Sequence, residues 1–289
     1  MIKKILIFGF GSIGQKHKNA LKKVNKDFIF FEYDSKKSYK QEEIIKINPD
    51  FIIISTPTSL HYKNLIFFNS IFKNKVILVE KPLFDKKYKI NLINNNNKIF
   101  VGYNLRFHPI IQYLKKKIKI LKFFYIRAEC YSYLPNWRKK NYTQVYSSSK
   151  KFGGGVANDL SHEIDFLSWI FGDIKKIYKQ KFKISDLKIS SDDTFILIGK
   201  INKTLININL NFSSLCKSRK IFLDEKNRTL ECDLINNYIK IYQKKSIKAQ
   251  KINFKKNVSL YNMHKNIIKN NFKDLCTLSE AHKTIKIIN

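Results

Sequence analysis

The sequence predicts an α/β protein of two domains, the first built on a doubly wound parallel sheet. The second is predicted to be an α+β domain with a large, mostly antiparallel, open-faced sheet. Short apolar runs alternate with helical patterns over residues 1–103, as in parallel βαβ units. Apolar-polar alternations without intervening helices fill much of residues 104–289, as in antiparallel sheets. A glycine-rich turn follows the first apolar run, and this supports a doubly wound parallel sheet in the first domain.

The first domain begins with a continuous apolar run at residues 5–8, which fits a strand buried on both faces of a sheet. Residues 13–24 have the spacing of a helix. The sequence predicts further strands at 28–33, 51–55, 76–79 and 99–103, with helices at 42–47 and 61–72 between them.

The second domain begins at about residue 104, where the pattern changes. We predict a helix at 109–118, a strand at 122–129 and a polar, aromatic loop over 131–151. Three consecutive glycines, residues 153–155, precede a predicted helix over 156–171. The strands expected to form the antiparallel sheet are 174–184, 194–200, 204–212, 220–224 and 238–242, and the tail from 260 to 288 is predicted to be helical.

Charge and cysteine content narrow the class of protein. The formal net charge of +34 ordinarily favours nucleic-acid binding. Here the basic residues are dispersed and nearly all lysine, in a chain also rich in Asn and Ile, so we attribute the charge to base composition and expect no specific nucleic-acid partner. Four separated cysteines without a C-x-x-C pair predict reduced thiols and no metal site. The sequence contains neither a signal peptide nor an apolar stretch of about 20 residues, so we expect a cytoplasmic protein without membrane contact.

Gly9, Gly11 and Gly14 form a G-x-G-x-x-G pattern that follows an apolar strand and opens a helix. The glycines permit a tight turn and let a pyrophosphate approach the backbone. The helix N-terminus, including Ser12 and Ile13, supplies N–H donors to such an anion. This context predicts a Rossmann domain that binds a dinucleotide.

Two acidic residues, Glu32 and Asp34, follow the glycines by about 20 residues, where a carboxylate bonds the ribose 2′-hydroxyl of NAD. Either residue can be that acceptor, and we favour Asp34. Lys36 and Lys37 follow at once and can hold a 2′-phosphate. NAD is therefore the expected cofactor, and NADP remains possible.

Three further segments complete the pattern: residues 55–61 (STPTSLH), 79–83 (VEKPL) and 153–162 (GGGVANDLSH). With the glycine loop and residues 103–107 (YNLRF), their order and spacing resemble the Gfo/Idh/MocA family of oxidoreductases over essentially the whole chain. The resemblance implies an NAD(P)-dependent dehydrogenase or reductase acting on the CH–OH group of a sugar or nucleotide sugar. It also implies a homodimer or homotetramer formed through the open sheet face.

The resemblance assigns roles to individual residues. Lys81 would lie near the nicotinamide and the reacting carbinol, where a lysine can bond the substrate oxygen and pass its proton. Pro82 is a candidate for a cis peptide bond. Cofactor contacts are implied for Ser55, Thr56, Pro57, His61, Glu80, Lys81 and Asn104.

Asp159 and His162 begin the helix that follows the three glycines, so both side chains would lie on one helix face. His162 is the expected general base for the substrate hydroxyl, because imidazole titrates near neutrality. Asp159 would orient the substrate or the imidazole. The common family pattern has its histidine one position later, where this chain has Glu163, so Glu163 can share or take over the acid-base work.

The D-L-S-H-E variant and the loop after residue 131 resemble family members from bacterial surface-sugar and nonulosonic acid pathways. Arg138 would bind a phosphate or carboxylate bidentately. The other side chains expected to contact substrate are Arg106 and the aromatic residues Trp137, Tyr142 and Tyr146. Two alternatives stay open: a reductase of another small substrate such as a cyclitol or an imine, and a protein that binds NAD(P) without turning it over, as a sensor or assembly partner.

Overall fold

A computed structural model describes residues 2–34, 40–90, 93, 96–117, 122–139, 141–255 and 257–289. Apart from the last two residues, the chain forms two compact units. The first unit comprises residues up to 107 together with 257–287, and the second comprises 108–256. The sequence-based division at residues 103 and 104 assigned the C-terminal tail to the second domain, whereas in the structure this tail packs with the first unit.

The strands and helices are numbered in chain order. The strands are β1 Lys4–Phe8, β2 Ile29–Tyr33, β3 Phe51–Ile54, β4 Val76–Val79, β5 Lys98–Val101, β6 Tyr125–Tyr133, β7 Lys175–Phe182, β8 Thr194–Ile201, β9 Thr204–Asn211, β10 Ser213–Glu225, β11 Arg228–Asp233, β12 Tyr238–Gln243, β13 Ser246–Lys251 and β14 Cys276–Thr277. The α-helices are α1 Ser12–Val24, α2 Gln41–Ile47, α3 His61–Ile71, α4 Pro109–Lys117, α5 Val156–Asp159, α6 His162–Phe171, α7 Val258–Ile268 and α8 Leu278–Ile288.

The first unit is built on a sheet with the strand order β14-β5-β4-β3-β1-β2. All neighbours in it pair in parallel except β14, which is antiparallel to β5. Leu6 and Phe8 of β1 belong to one apolar core, and Ile5 and Ile7 belong to a second. Successive strand residues point to opposite faces, so this sheet is buried on both sides, which explains the continuous apolar runs.

The C-terminal tail supplies a helix to each of these cores. Met263 and Ile267 of α7 pack into one core, and Ala281 and Ile285 of α8 pack into the other. The predicted single helical tail is therefore two helices, separated by the short edge strand β14. This packing is the reason that the tail belongs to the first unit.

The second unit contains a sheet with the strand order β13-β12-β11-β10-β6-β9-β8-β7. Its neighbours are antiparallel except for the parallel pair β6 and β9. Phe195 and Leu197 of β8 are buried, whereas Ile198 and Leu205 are 40% and 38% exposed. The strands therefore bury one face and present the other to solvent. Both predicted sheet types, and with them the predicted fold class, are confirmed.

Two strands of this sheet, β11 and β13, were not predicted. Every residue of β13 is exposed, so no apolar alternation marks it in the sequence. It forms by backbone pairing with β12 across a tight hairpin. Such an edge strand is specified by its neighbour rather than by its own side chains.

The described residues contain neither a membrane-spanning helix nor a metal-binding cluster. No helix among them combines the length and apolar character that a bilayer span requires. Within the same ranges, no group of three or more His, Cys, Asp or Glu side chains is suited to hold a metal ion. The four cysteines are free thiols, and three of them are buried.

Candidate functional site

The glycine loop joins β1 to α1 and is held by the ends of two neighbouring strands. The N–H groups of Gly9 and Phe10 donate to the carbonyl oxygen of Tyr33 at 2.8 and 3.0 Å. Oγ of Ser55 donates to the carbonyl oxygen of Gly9 at 2.9 Å. Gly9 has φ +98°, and a Cβ there would lie 2.5 Å from the backbone nitrogen of Thr56, so this position requires glycine.

Gly11, at the N-terminus of α1, faces open space. A Cβ built on Gly11 would meet no atom within 4 Å, whereas one on Gly14 would lie 2.7 Å from the carbonyl oxygen of Gly9. The first turn of α1 carries no acidic side chain, and its N–H groups have no acceptor within the helix. The loop therefore has the donors, the positive helix end and the space that fit a dinucleotide pyrophosphate.

The two acidic candidates near β2 differ in their surroundings. The carboxylate of Glu32 forms an ion pair with Lys18 of α1. Asp34 lies exposed just beyond β2, next to the residue whose carbonyl holds the glycine loop. This geometry favours Asp34 as the residue presented to a ribose. Lys36 and Lys37, the candidates for a 2′-phosphate, lie outside the described residues.

Thr56 and His61 brace the loop after β3 from within. Nε2 of His61 lies 2.9 Å from the carbonyl oxygen of Thr56, and Nδ1 lies 3.0 Å from that of Pro82. Burial lowers the pKa of His61, so the neutral ring donates to one of these carbonyls at a time. Nδ2 of Asn64 donates to Oγ1 of Thr56 at 2.9 Å. The structure thus places both predicted cofactor residues where they shape the loop, and Pro57 lies half-buried between them.

Glu80 and Lys81 follow β4 directly, and the Lys81–Pro82 peptide bond is cis. Lys81 is half-buried, whereas Glu80 is buried and accepts a hydrogen bond from Nε2 of His17 at 3.0 Å. Burial alone would raise the pKa of Glu80. The hydrogen bond from His17, together with the charge of Lys81, instead holds that pKa below its ordinary value. Glu80 is therefore a buried carboxylate next to the predicted catalytic lysine.

The turn Asn104–Phe107 contains two further candidates. Asn104 is half-buried, but Arg106 is only 1% exposed. Nη1 of Arg106 lies 3.3 Å from both carboxylate oxygens of Glu280, at the start of α8. The expected substrate contact of Arg106 does not fit this position. Its guanidinium ties the turn to α8 in the interior of the first unit.

In the second unit, the three glycines lead into α5. Gly155 has φ +126°, and a Cβ there would overlap the carboxylate of Asp192. Oδ2 of Asp192 accepts from the N–H of Ala157 at 3.0 Å, which satisfies the first turn of α5. Asp159 ends this helix, and its Oδ1 accepts a hydrogen bond from the hydroxyl of Tyr146. The structure therefore brings together two residues that were predicted to contact substrate.

The sequence predicts one continuous helix that carries both Asp159 and His162, but the structure shows two helices. The helix α5 ends at Asp159. A turn formed by Leu160 and Ser161 follows, and α6 begins at His162. The spacing argument for a shared helix face is wrong for this reason. Both side chains are nevertheless buried in the second unit, close to the glycine turn in sequence.

Glu163 is 1% exposed and forms a bidentate ion pair with Arg219 of β10. Nε and Nη2 of Arg219 lie 2.7 and 3.2 Å from the two carboxylate oxygens. The carboxylate of Glu163 is thus engaged in a buried pair, which favours a structural role over acid-base work.

Arg219 also acts on a histidine of the second unit. Burial, followed by the charge of Arg219, lowers the pKa of His108 to about 4.

Trp137 and Arg138 lie in a short turn after β6, where they border a small concavity. The Trp137 ring packs edge-on against Phe212, with centroids 4.9 Å apart. Arg138 is exposed. Three of the side chains predicted to contact substrate, Trp137, Arg138 and Tyr142, therefore border one concavity, which Leu134, Val145 and Ser147 also line.

Sequence reasoning missed several residues that build these sites. His17, Asp192 and Arg219 carry no motif that marks their roles. One sequence feature could have identified Arg219: it is one of five arginines in a chain with 56 Lys and Arg together. In so lysine-rich a chain, arginine is expected where its planar bidentate geometry is required.

Comparisons with known proteins identify the fold. No protein-family model matches the chain, and neither does any curated protein sequence. Solved structures do match: the UDP-N-acetylglucosamine 3-dehydrogenase GnnA from Acidithiobacillus ferrooxidans is 16% identical, with a TM-score of 0.78 over 100% of this chain and 96% of that one. The WlbA dehydrogenase from Bordetella pertussis, in complex with NADH and UDP-GlcNAcA, is 15% identical, with a TM-score of 0.78 over 99% and 94%.

A levoglucosan dehydrogenase in complex with NADH and levoglucosan is 13% identical, with a TM-score of 0.81 over 99% of this chain and 95% of that one. The chain thus shares, over its full length, the fold of NAD-binding dehydrogenases of the Gfo/Idh/MocA type. Since identities of 13–16% establish fold alone, function has to be argued from the sites.

Proposed function

We propose that this chain is an NAD-dependent oxidoreductase that moves a hydride between nicotinamide and the CH–OH carbon of a sugar or nucleotide sugar. The observation that carries the proposal is the cradle at Gly11. It combines open space beside the backbone with the N-terminus of α1, in a loop fixed by Gly9 and Ser55. The shared fold supports the same conclusion, because the similar WlbA and levoglucosan dehydrogenase structures were solved with NADH.

The nicotinamide supplies the hydride chemistry when bound. The residues of the first unit would bind and orient the cofactor. Ser12, Ile13 and Gly14 offer backbone N–H groups to the pyrophosphate, and Asp34 accepts from a ribose hydroxyl. The absence of a 2′-phosphate on NAD suits a carboxylate at this position, which would repel that of NADP.

Lys81 and His162 are the proposed proton-handling groups. Lys81 would donate a hydrogen bond to the substrate oxygen, and His162 would act as general base when that oxygen loses its proton. Asp159, held by Tyr146, would orient the substrate or the imidazole. Glu163 is left out of this proposal because Arg219 occupies both of its carboxylate oxygens.

Arg138 points to the substrate class. The other four arginines each pair with a carboxylate: Arg106 with Glu280, Arg127 with Asp224, Arg219 with Glu163, and Arg228 with Glu225. Among the described residues, no carboxylate partner of Arg138 is found, and its guanidinium lies exposed beside Trp137. A guanidinium next to an aromatic ring suits a phosphate attached to a sugar or base. We therefore favour a nucleotide sugar, in bacterial surface-polysaccharide or nonulosonic acid biosynthesis.

A second copy of the chain is the proposed partner of the open sheet face. Ile198 and Leu205 lie exposed on neighbouring strands of that face. Light scattering is expected to show a dimer or tetramer, which Ile198→Lys with Leu205→Lys shifts toward monomer. Ile45→Lys, which changes a similarly exposed apolar residue on α2 of the first unit, serves as the control. A monomeric wild-type chain would contradict this proposal.

The experiment for the main proposal is a calorimetric titration with NADH and, separately, NADPH. Micromolar binding of NADH, at least tenfold tighter than that of NADPH, is expected. Gly11→Val should abolish binding while the chain stays folded, because a Cβ at this position meets no protein atom within 4 Å. A wild-type chain that binds neither cofactor would refute the proposal.

Substrate class is tested with the same protein. A nucleotide sugar is expected to be turned over with a KM at least tenfold below that of the matching free sugar. Arg138→Met should remove this difference, and Arg127→Met, which alters an arginine on β6, serves as the control. Equal KM values for both substrates would contradict the role of Arg138.

A further inference from the structure

Three buried side chains form a continuous hydrogen-bonded chain in the first unit. Nε2 of His264 lies 2.8 Å from Nδ1 of His17, and Nε2 of His17 lies 3.0 Å from Oε1 of Glu80. Both histidines are 0% exposed. His17 lies on α1, five residues after the first residue of that helix, and His264 lies on α7 in the C-terminal tail. The chain therefore connects the tail to the carboxylate that precedes Lys81.

The chemistry of the acceptor fixes the direction of these hydrogen bonds. An ionised carboxylate only accepts, so Nε2 of His17 is the donor to Glu80. In a neutral His17, Nδ1 is then an acceptor, and Nε2 of His264 must donate to it. This leaves Nδ1 of His264 as a bare lone pair. That atom is buried and has no hydrogen-bond partner among the described residues.

The opposite arrangement is costly. If His17 were doubly protonated, its Nδ1–H would donate to Nε2 of His264. The ring of His264 would then carry its proton on its own Nδ1, which has no acceptor among the described residues. A buried N–H without an acceptor costs about 1–3 kcal/mol. Burial, and next the proximity of His17, lower the pKa of His264, and its ring packs edge-on against Phe51 at 6.0 Å. The two hydrogen bonds therefore run in one direction, from Nε2 of His264 to His17 and from Nε2 of His17 to Glu80.

The charged and titratable groups around Glu80 reinforce this arrangement. His17 faces it from α1, His61 from α3, and Lys81 is its neighbour in the chain. On β5's side the carboxylate packs against Gly102, where a Cβ would overlap Oε1. The carboxylate is thus confined by a glycine on one side and directed by an N–H donor on the other.

We propose that His264 and His17 are positioning residues that hold Glu80 as an anion in one orientation beside Lys81. The role of Lys81 rests on the proposed function, whereas the state of Glu80 does not. A fixed anion at this position orients the ammonium group of Lys81 and offers an acceptor to the hydroxyl groups of a bound cofactor. The C-terminal tail would contribute to the site by this route.

The test measures the charge of Glu80 directly, in the full chain without cofactor. The ¹³C resonance of its carboxyl carbon, assigned with Glu80→Gln, is followed as the pH is lowered. His17→Leu removes the donor and is expected to raise the proton affinity of Glu80 at least tenfold, about one pH unit. His17→Gln keeps an N–H donor near the position of Nε2 and should restore most of the difference. An unchanged midpoint in His17→Leu would overturn the proposal.

A control variant, Asn97→Ala, distinguishes a specific effect of His17 on Glu80 from a general loss of stability of the first unit. Nδ2 of Asn97 donates to Asn69 and to the carbonyl oxygen of Phe72, so Asn97→Ala also removes buried hydrogen bonds from the first unit. It should lower the melting temperature without moving the Glu80 midpoint. If Asn97→Ala moves that midpoint as far as His17→Leu, the proposal fails.

Two further measurements address His264 and the link to the cofactor. ¹⁵N NMR of the imidazoles should show both histidines protonated at Nε2, and His264→Phe should abolish this preference in His17. NADH affinity of His17→Leu should begin to fall at a pH at least one unit above that at which the wild type weakens. A wild-type chain that binds no NADH would refute the proposed function, while the carboxyl titration would still decide the state of Glu80.

Discussion

We expect the ion pair between Glu163 and Arg219 to exclude Glu163 from the proton transfer that we propose for His162. Glu163→Gln keeps the shape of the side chain but removes its charge. The geometry predicts a loss of stability and a modest effect on turnover, because both carboxylate oxygens contact the guanidinium. If Glu163 were the general base, the loss would fall on turnover instead.

The magnitude follows from burial. Removing one partner of a buried pair costs about 3–5 kcal/mol, since the remaining charge is left without compensation. The side chain of Arg219 is 22% exposed and that of Glu163 is 1% exposed. Water can therefore partly solvate the arginine left by Glu163→Gln, and we expect about 3 kcal/mol. Arg219→Met leaves a carboxylate that water scarcely reaches, and we expect about 5 kcal/mol.

The assay is a double-mutant cycle measured by urea unfolding, with kcat determined below the transition. Glu163→Gln combined with Arg219→Met should lie within about 2 kcal/mol of the wild type, because the double variant buries no unpaired charge. In Glu163→Gln, kcat should fall less than tenfold. His162→Gln should lower kcat by about 100-fold or more. A Glu163→Gln protein of wild-type stability with kcat reduced 100-fold would refute the reasoning.

Three further predictions concern the fold around the sites. Gly9→Ala should cost about 2 kcal/mol or more in unfolding free energy, since Gly9 has φ +98° and a Cβ would overlap backbone; equal stability of Gly9→Ala and wild type by calorimetry would contradict this. Burial and the charge of Arg219 lower the pKa of His108 from 6.5 to about 4. Between these two pH values, His108 binds a proton in the unfolded chain but not in the folded chain. Stability should fall by up to about 3 kcal/mol as the pH drops from about 6.5 to about 4, and His108→Phe should remove this dependence in urea titrations at several pH values. Arg106→Met should destabilise the chain by about 2–4 kcal/mol without changing the KM of any substrate, because its guanidinium binds Glu280 in the interior; a raised KM at unchanged stability would restore its predicted substrate role.

The glycine loop shows how much of a site a sequence can predict. Its three glycines, the strand before it and the helix after it are neighbours in the chain, so local backbone rules define the whole motif. The structure adds the partners from other strands, the carbonyl of Tyr33 and the hydroxyl of Ser55. It also places Asp34 directly after Tyr33, the residue whose carbonyl oxygen holds the loop.

The segment from Asp159 to Glu163 shows where the same reasoning fails. Helical spacing placed Asp159 and His162 on one face, but a turn at Leu160 and Ser161 interrupts the helix. No glycine or proline marks this break in the sequence. Glu163 is a catalytic candidate by its position in the sequence, and the structure adds its pairing with Arg219, 56 residues away, which favours a structural role.

The sequence by itself determined the two sheet types, the glycine loop between β1 and α1, and the solvent-exposed face of the second sheet. Each depends on the periodicity of apolar residues or on the conformational freedom of glycine, which are local properties of the chain. Only the tertiary structure decided that the C-terminal tail packs with the first unit and that His264 reaches His17, 247 residues earlier. It also decided that Arg106 and Glu163 are bound in ion pairs. The partner of a buried charge is set by long-range packing, and the spacing of residues along the chain carries no record of it.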